Sequence, residues 1–317
     1  MMVNSTAPAP KASDKIWRWL KREWRLRKYL YLMSLPVIAY FLIFHYYPMY
    51  GVQIAFKQFK PRKGILGSPW VGLKHFETFF SSYYFVRILR NTVLLSALNF
   101  LVCFPAPIIL ALLMNEIRHN GYKRVVQTIT YMPYFISLVV VCGLIKDFVA
   151  KDGVISTIVQ WFGGPAVNLL TLKSAYRSIY IGSNIWQSIG FDSIIYMAAI
   201  AGVDQELYEA GAIDGITNRF QRVRYITFPS IVPTITIMFI LSIGSLMNVG
   251  YEKTLLLYND QILEVSDIIS TFVYRKGLLE NDFSYSAAVG LFNSVINCAL
   301  LVTANTISRK VSENSLW

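Results

Sequence analysis

Long apolar runs, each set off by a short polar or basic stretch, recur along this chain at the spacing of membrane-crossing helices. A bilayer core about 30 Å thick needs roughly 20 mostly apolar residues at 1.5 Å per residue. Six stretches meet that requirement, near 29–50, 92–114, 125–149, 178–203, 230–250 and 284–306. The fourth is the most polar, with Asn184, Gln187 and Asp192 inside it. The first is too long for a signal core and lacks a small-residue cleavage pattern, so it is expected to remain as an anchor. Five spans with one buried hairpin is the competing arrangement.

Composition agrees with a membrane protein. Of 317 residues 55% are hydrophobic and only 15% charged, with a mean hydropathy of +0.44. Soluble domains carry about 25% charged residues. The three cysteines, Cys103, Cys142 and Cys298, sit in apolar runs and are expected as small buried hydrophobes.

Charge sets the orientation. Lys and Arg total 30 against 18 Asp and Glu, and the densest basic cluster precedes the first span. Positive residues favour the cytoplasmic side, which places both termini inside. Within Lys15–Lys28, Ile16, Leu20 and Trp24 recur at a spacing of four among Arg and Lys, the pattern of an interfacial helix on anionic lipid. No groove-reading module accompanies these charges, so nucleic acid is not the expected partner. Residues 1–28 thus form a cytoplasmic tail and interfacial helix, with the first thirteen expected to be disordered, and 29–317 a membrane domain. The outer segment between the first two spans is expected to fold over the outer mouth. Tyr83, Tyr84, Trp161, Tyr251, Tyr258 and Tyr274 in the outer segments suit an interfacial belt or a docking face.

Catalytic chemistry is missing from the pattern. No G-x-x-x-x-G-K-[ST] loop or G-x-S-x-G elbow occurs, and His45, His75 and His119 lack metal-ligand spacing. No catalytic residue, metal or cofactor is therefore expected on this chain. Asp192 is the one ionisable residue clearly inside a span. At mid-membrane it costs about 2.5–3.5 kcal/mol, so it should face a polar pathway or a neighbouring helix, not lipid.

Between the fourth and fifth spans, residues 204–229 read as two short helices bent at a glycine. Asp204 suits an N-cap; Leu207, Ala210 and Gly211 make a small apolar face; Asp214-Gly215 supplies a turn; and Pro229 is expected to open the fifth span. Such an elbow fits a partner's groove or lies on lipid. Glu209-Ala210-Gly211, three residues, Gly215 and Ile226-Thr227-Phe228-Pro229 resemble the EAA loop of binding-protein-dependent ABC importer permeases, written E-A-A, three residues, G, a spacer, I-x-L-P. Gly211 stands for the third-position alanine and Phe228 for the leucine. Ten residues separate Gly215 from Ile226, one more than the family's usual spacing, which is expected to rotate the second short helix against the first.

Val71–Phe76, Leu89–Thr92, Tyr131–Pro133, Asn184–Gln187, Asp204–Glu209 and Ser312–Trp317 look like the sugar-transporting branch, nearest to permeases for oligosaccharides, polysaccharides and sugar-derived acids. The resemblance implies an all-α, six-span, type I importer permease in a bacterial inner membrane. It also implies a second homologous permease, two ABC ATPase subunits holding ATP and Mg, an external solute-binding protein and a sugar cargo. Glu209, Ala210, Gly211, Asp214 and Gly215 would couple to the ATPase. For the substrate path the spans offer Asn184, Trp186, Gln187, Asp192, Asn248, Asn293 and Asn297, which either touch sugar or bond helix to helix. An ion-coupled secondary transporter would need coupling-ion ligands in broken helices, and a membrane enzyme a reactive constellation; neither stands out.

Overall fold

The computed structural model describes residues 12–311, with side-chain surroundings for 21–310. Most of the predicted tail, the side chains of Ile16 and Leu20, and the ending Ser312–Trp317 lie outside the described residues. Among those described, the chain is helical apart from turns and one isolated antiparallel bridge, Lys57 to Trp70.

Helix α1 (Ala12–Phe41) has a non-helical residue at Arg27 and continues through Phe56, with Lys21–Phe56 forming one apolar stretch of 36 residues. Helix α2 (Tyr83–Cys103) is capped by the Ser82 hydroxyl, which accepts from the Tyr84 N–H. Pro105 opens α3 (Pro105–Asn115), a position where the missing N–H costs little, so α2 and α3 together cover 33 residues. Helices α4 (Asn120–Tyr131) and α5 (Leu138–Phe148) replace the single third span expected from sequence. A turn at Met132–Phe135 and a new N-cap at Ser137, which accepts from Val140 N–H, bend the Asn120–Phe135 and Leu138–Phe148 segments by 102°. Pro133 cannot donate to the ladder, and the Ser137 cap restarts it in a new direction.

Helix α6 (Lys173–Ala201) is followed by α7 (Gln205–Ile213), α8 (Phe228–Gly244), α9 (Tyr251–Leu257), α10 (Ile269–Tyr274) and α11 (Phe283–Val311). Among the described residues four helical stretches are long and apolar enough to cross a membrane, or five if the bent pair counts as one. Helix α6 is not among them, although its 29 residues reach about 43 Å at 1.5 Å each. Its polar side chains explain the difference.

Three apolar clusters tie the helices together. Ile108, Ala111, Tyr196, Ile200 and Ile231 join α3, α6 and α8. Leu95, Val141, Cys142, Tyr176, Tyr180 and Leu257 join α2, α5, α6 and α9, and Phe79, Ile88, Phe272, Tyr285 and Val289 hold α2, α10 and the segment before α2 on α11. The segment between the first two apolar stretches packs beside α11, with Ser284 Oγ donating to the Lys57 carbonyl at 2.7 Å. None of residues 51–82 lines the main cavity. Aromatic packing of Phe79 on Phe292 draws the segment sideways instead.

Cys298 also departs from expectation. It is exposed on α11, whereas Cys142 is buried and Cys103 half-buried. An apolar thiol can face outward where lipid or another chain supplies the apolar surroundings.

Candidate transport cavity and coupling elbow

A cavity of about 770 Å³ runs along one face of α6 and is closed by α2, α3, α8 and the start of α9. That volume lies within the range of ligand-binding clefts. The face is set by helical spacing: Tyr180, Asn184, Gln187, Ser188, Phe191 and Asp192 recur three or four residues apart and all line it. From Tyr180 to Asp192 it extends about 18 Å. Asn184 donates to Asn99 Oδ1 at 3.0 Å, and Tyr134 stacks flat on Phe191 with ring centroids 3.8 Å apart. Asp192 has no ion-pair partner among the described residues and is exposed within the cavity.

The structure therefore brings Asn184, Gln187, Asp192 and Asn248 to one cavity. Trp186 lies on another side of α6 and is 44% exposed. Asn293 and Asn297 are buried on α11, and both donate to Asn248 Oδ1 at 3.0 Å. Asn248 itself follows the end of α8, in the turn before α9, and not inside a span. Asn297 Oδ1 also accepts the Met247 N–H, so this cluster fixes that turn to α11. Sequence reading missed Asn99, Tyr180 and Lys253 as cavity residues. Asn99 and Tyr180 sit at the same helical phase as polar neighbours already noted, but Lys253 arrives from a segment whose return to the cavity no local pattern encodes.

At the other end of α6 stands the elbow. Asp204 caps α7 by accepting the Glu206 N–H at 3.0 Å, as its position implies. Gly215 has φ +85°, a left-handed conformation that glycine adopts without penalty. The turn is closed by the Ile216 N–H donating to the Gly211 carbonyl at 2.8 Å. Asn218 then caps the next helix by accepting from Phe220 N–H. Glu209 and Ala210 are exposed, while Gly211 is buried.

The expected break before the fifth span is absent. From Arg219 the helix continues to Gly244, and its residues Val223–Thr227 form a π turn closed by the Phe228 N–H on the Val223 carbonyl. A π turn takes up one additional residue, so the long spacer between Gly215 and Ile226 widens the helix locally. Pro229 stands in the first turn of α8, its expected place near a helix start, while the π turn joins α8 to the short helix before it. Ile226, buried, then sits over Gly211: a Cβ there would come within 2.5 Å of Ile226 Cδ1. The two departures from the EAA pattern, glycine for alanine and the longer spacer, meet at this contact. Tyr208 and Thr227 hydroxyls at 3.1 Å, and Arg222 paired with Glu116 at 3.2 Å, lock the elbow to α8 and to the turn after α3.

The family model for "Binding-protein-dependent transport system inner membrane component" matches residues 104–311. The chain is 42% identical to the polygalacturonan/rhamnogalacturonan transport system permease protein YteP of Bacillus subtilis (strain 168), over 100% of both chains. It is 43% identical to Protein LplB of the same strain, over 94% of this chain and 92% of that one. Among solved structures it matches a chain of a bacterial alginate ABC transporter in complex with an alginate pentasaccharide-bound periplasmic protein. That match has a TM-score of 0.86 at 42% identity and covers 95% of this chain and 100% of that chain. The helical fold and the sequence agree with these relatives over nearly the whole chain: it belongs to the family of inner-membrane components of binding-protein-dependent transport systems, as a multi-pass permease subunit of an ABC importer with the type I fold.

Proposed function

We propose that this subunit forms half of the path by which an oligosaccharide or polysaccharide enters a bacterial cell through the inner membrane. One observation carries the reading: a polar cavity along α6 and a rigid, partner-sized elbow belong to the same helix system, joined at Val203–Asp204. The cavity residues Asn184, Gln187, Asp192 and Asn248 offer hydrogen bonds to sugar hydroxyls. One relative is named for polygalacturonan and rhamnogalacturonan transport and the solved neighbour belongs to an alginate transporter, which supports a carbohydrate cargo here.

Six spans, counting α1, α2–α3, the bent α4–α5 pair, α6, the rod ending in α8, and α11, put both termini on the cytoplasmic side with the basic arm. The membrane domain then runs from residue 29, after the tail and interfacial helix. Glu209, Ala210, Gly211, Asp214 and Gly215 present the elbow to an ATPase subunit. ATP and Mg act on two such subunits, a second homologous permease completes the path, and a solute-binding protein delivers the sugar. Nucleotide binding on the ATPases moves this chain only to the extent that their grip differs between inward- and outward-facing states.

The test is co-purification of the chain with an ATPase pair, a second permease and a binding protein, followed by ATP-driven sugar uptake in proteoliposomes. Gly215→Val forces a branched residue to φ > 0, which costs about 1–2 kcal/mol or more, and is expected to uncouple hydrolysis from uptake. Full coupling in Gly215→Val, or uptake with no ATPase attached, overturns the proposal.

A further inference from the structure

The two walls of the cavity are joined to the elbow in different ways. Helix α6 enters the elbow through Val203–Asp204, and the elbow runs into α8 through the π turn at Val223–Thr227. Both links are covalent, so α6 and α8 follow any movement of the elbow. The facing wall has no such link. Asn99 and Cys103 of α2 and Pro107 of α3 line the cavity, yet the chain from α3 reaches the elbow only by way of α4, α5 and the whole of α6.

Two contacts tie α3 to the moving part. One is apolar, with Ile108 and Ala111 packed against Tyr196, Ile200 and Ile231. Apolar packing is non-directional, so it resists compression better than sliding. The other has a fixed length: Arg222 Nη2 lies 3.2 Å from Glu116 Oε2, across 106 residues of sequence. Both ends of this ion pair stand on firm supports. Glu116 caps the C-terminus of α3, where its N–H donates to the Leu113 and Met114 carbonyls. Arg222 closes the short helix Arg219–Arg222 of the elbow, and its N–H donates to the Asn218 carbonyl at 3.0 Å.

Local preference does not explain a glutamate at that position. The last carbonyls of a helix carry negative partial charge, so a carboxylate at the C-terminus is disfavoured. Glu116 is also the only acidic residue between Glu77 and Asp147, in a turn that is otherwise basic, with Arg118, Lys123 and Arg124 after it. A residue at odds with its own helix is kept by a contact outside it, and the described contact here is Arg222. The Glu116 side chain is 18% exposed, which shields the pair in part from solvent.

We propose that Glu116 and Arg222 are positioning residues for transport: their ion pair carries movement of the elbow to the α2–α3 wall, so that both walls of the cavity turn together. This rests on the reading of the cavity as the path and of the elbow as the contact for an ATPase. Neither side chain touches cargo or nucleotide. With the pair broken, the elbow drives α6 and α8 while α3 lags behind.

The experiment places spin labels at Leu113→Cys on α3 and Phe220→Cys on the short helix, both exposed positions, in a chain with Cys103→Ser and Cys298→Ser. Pulsed electron paramagnetic resonance reads the separation of the labels in the complete transporter, without nucleotide and with a non-hydrolysable ATP analogue. With the pair intact the separation is expected to be the same in both states. Glu116→Gln and Arg222→Gln are each expected to make it change on ATP-analogue binding by about 2 Å or more, the scale of helix shifts in such transitions. Reversing the charges, Glu116→Arg with Arg222→Glu, is expected to restore the constant separation, a rescue that a role in stability alone does not predict. If the single variants fail to assemble, the intact pair is measured in about 1 M salt, where the screening length is about 3 Å, and the same change is expected. A constant separation in the Gln variants or in high salt overturns the inference, because the packing of Ile108 and Ala111 then suffices. A change with the pair intact at low salt, or one that persists after charge reversal, overturns it too. A chain that binds no ATPase overturns the importer reading instead.

Discussion

Gly211 shows how a one-atom difference is written into this fold. An alanine in its place would gain helix propensity of about 1 kcal/mol, but its Cβ would sit 2.5 Å from Ile226 Cδ1. That methyl is the free end of a flexible side chain and can swing aside. Gly211→Ala is therefore expected to leave the melting temperature of the purified subunit nearly unchanged, whereas Gly211→Leu must expel Ile226 altogether and is expected to lose the elbow's packing, at about 2 kcal/mol or more. Thermal unfolding in detergent and retention of the ATPase on a size-exclusion column read both. The cap at Asp204 and the turn at Gly215 were legible in the sequence because each is a local choice with a local cost. Ile226 over Gly211 was not, since the contact depends on a helix radius that residue types do not announce.

Among the elements, the π turn at Val223–Thr227 makes the sharpest forecast. If it exists to absorb a surplus residue, deleting the exposed Arg224 should heal it into an ordinary α-helix with Ile226 still facing Gly211. Deleting Ile235, inside the regular part of α8, instead turns every later side chain by about 100°. Membrane yield and melting temperature should survive the first deletion and not the second. The loop between α9 and α10 is fastened differently. Asp267 accepts from Thr271 Oγ1 at 2.9 Å and pairs with Arg275 and Arg87, while Asn91 donates to the Glu264 and Asp267 carbonyls. Asp267→Ala leaves two guanidinium groups without their buried counter-charge and is expected to destabilise the subunit by about 3–5 kcal/mol, measured by chemical denaturation. Asn91 and Thr92 belong to a motif noticed in the sequence only by resemblance. Its physical sense, a side-chain clamp reaching nearly two hundred residues along the chain, becomes visible only once α2 and that loop are side by side.

At the scale of the whole molecule, the apolar stretches were readable as runs, while the cavity between them was not. It is assembled from α2, α3, α6, α8 and α9, and its lysine comes from α9, a helix too short to cross a membrane. The first stretch, Lys21–Phe56, has none of its apolar window buried within the chain, against 28% for the last. It adds little to this subunit's own interior. Removing residues 1–41 is accordingly expected to leave the remaining helices folded, with the protease resistance of the α2–α11 bundle unchanged in detergent. Gly190 sets the opposite limit. Added there, a Cβ would lie 2.1 Å from the Thr130 carbonyl oxygen, so α4 and α6 cross with no clearance for even a methyl group. Two rods meshed so tightly cannot slip past each other. If the elbow couples to an ATPase as proposed, torque applied there would reach the distal half of the molecule as rotation about that crossing, an axle without play.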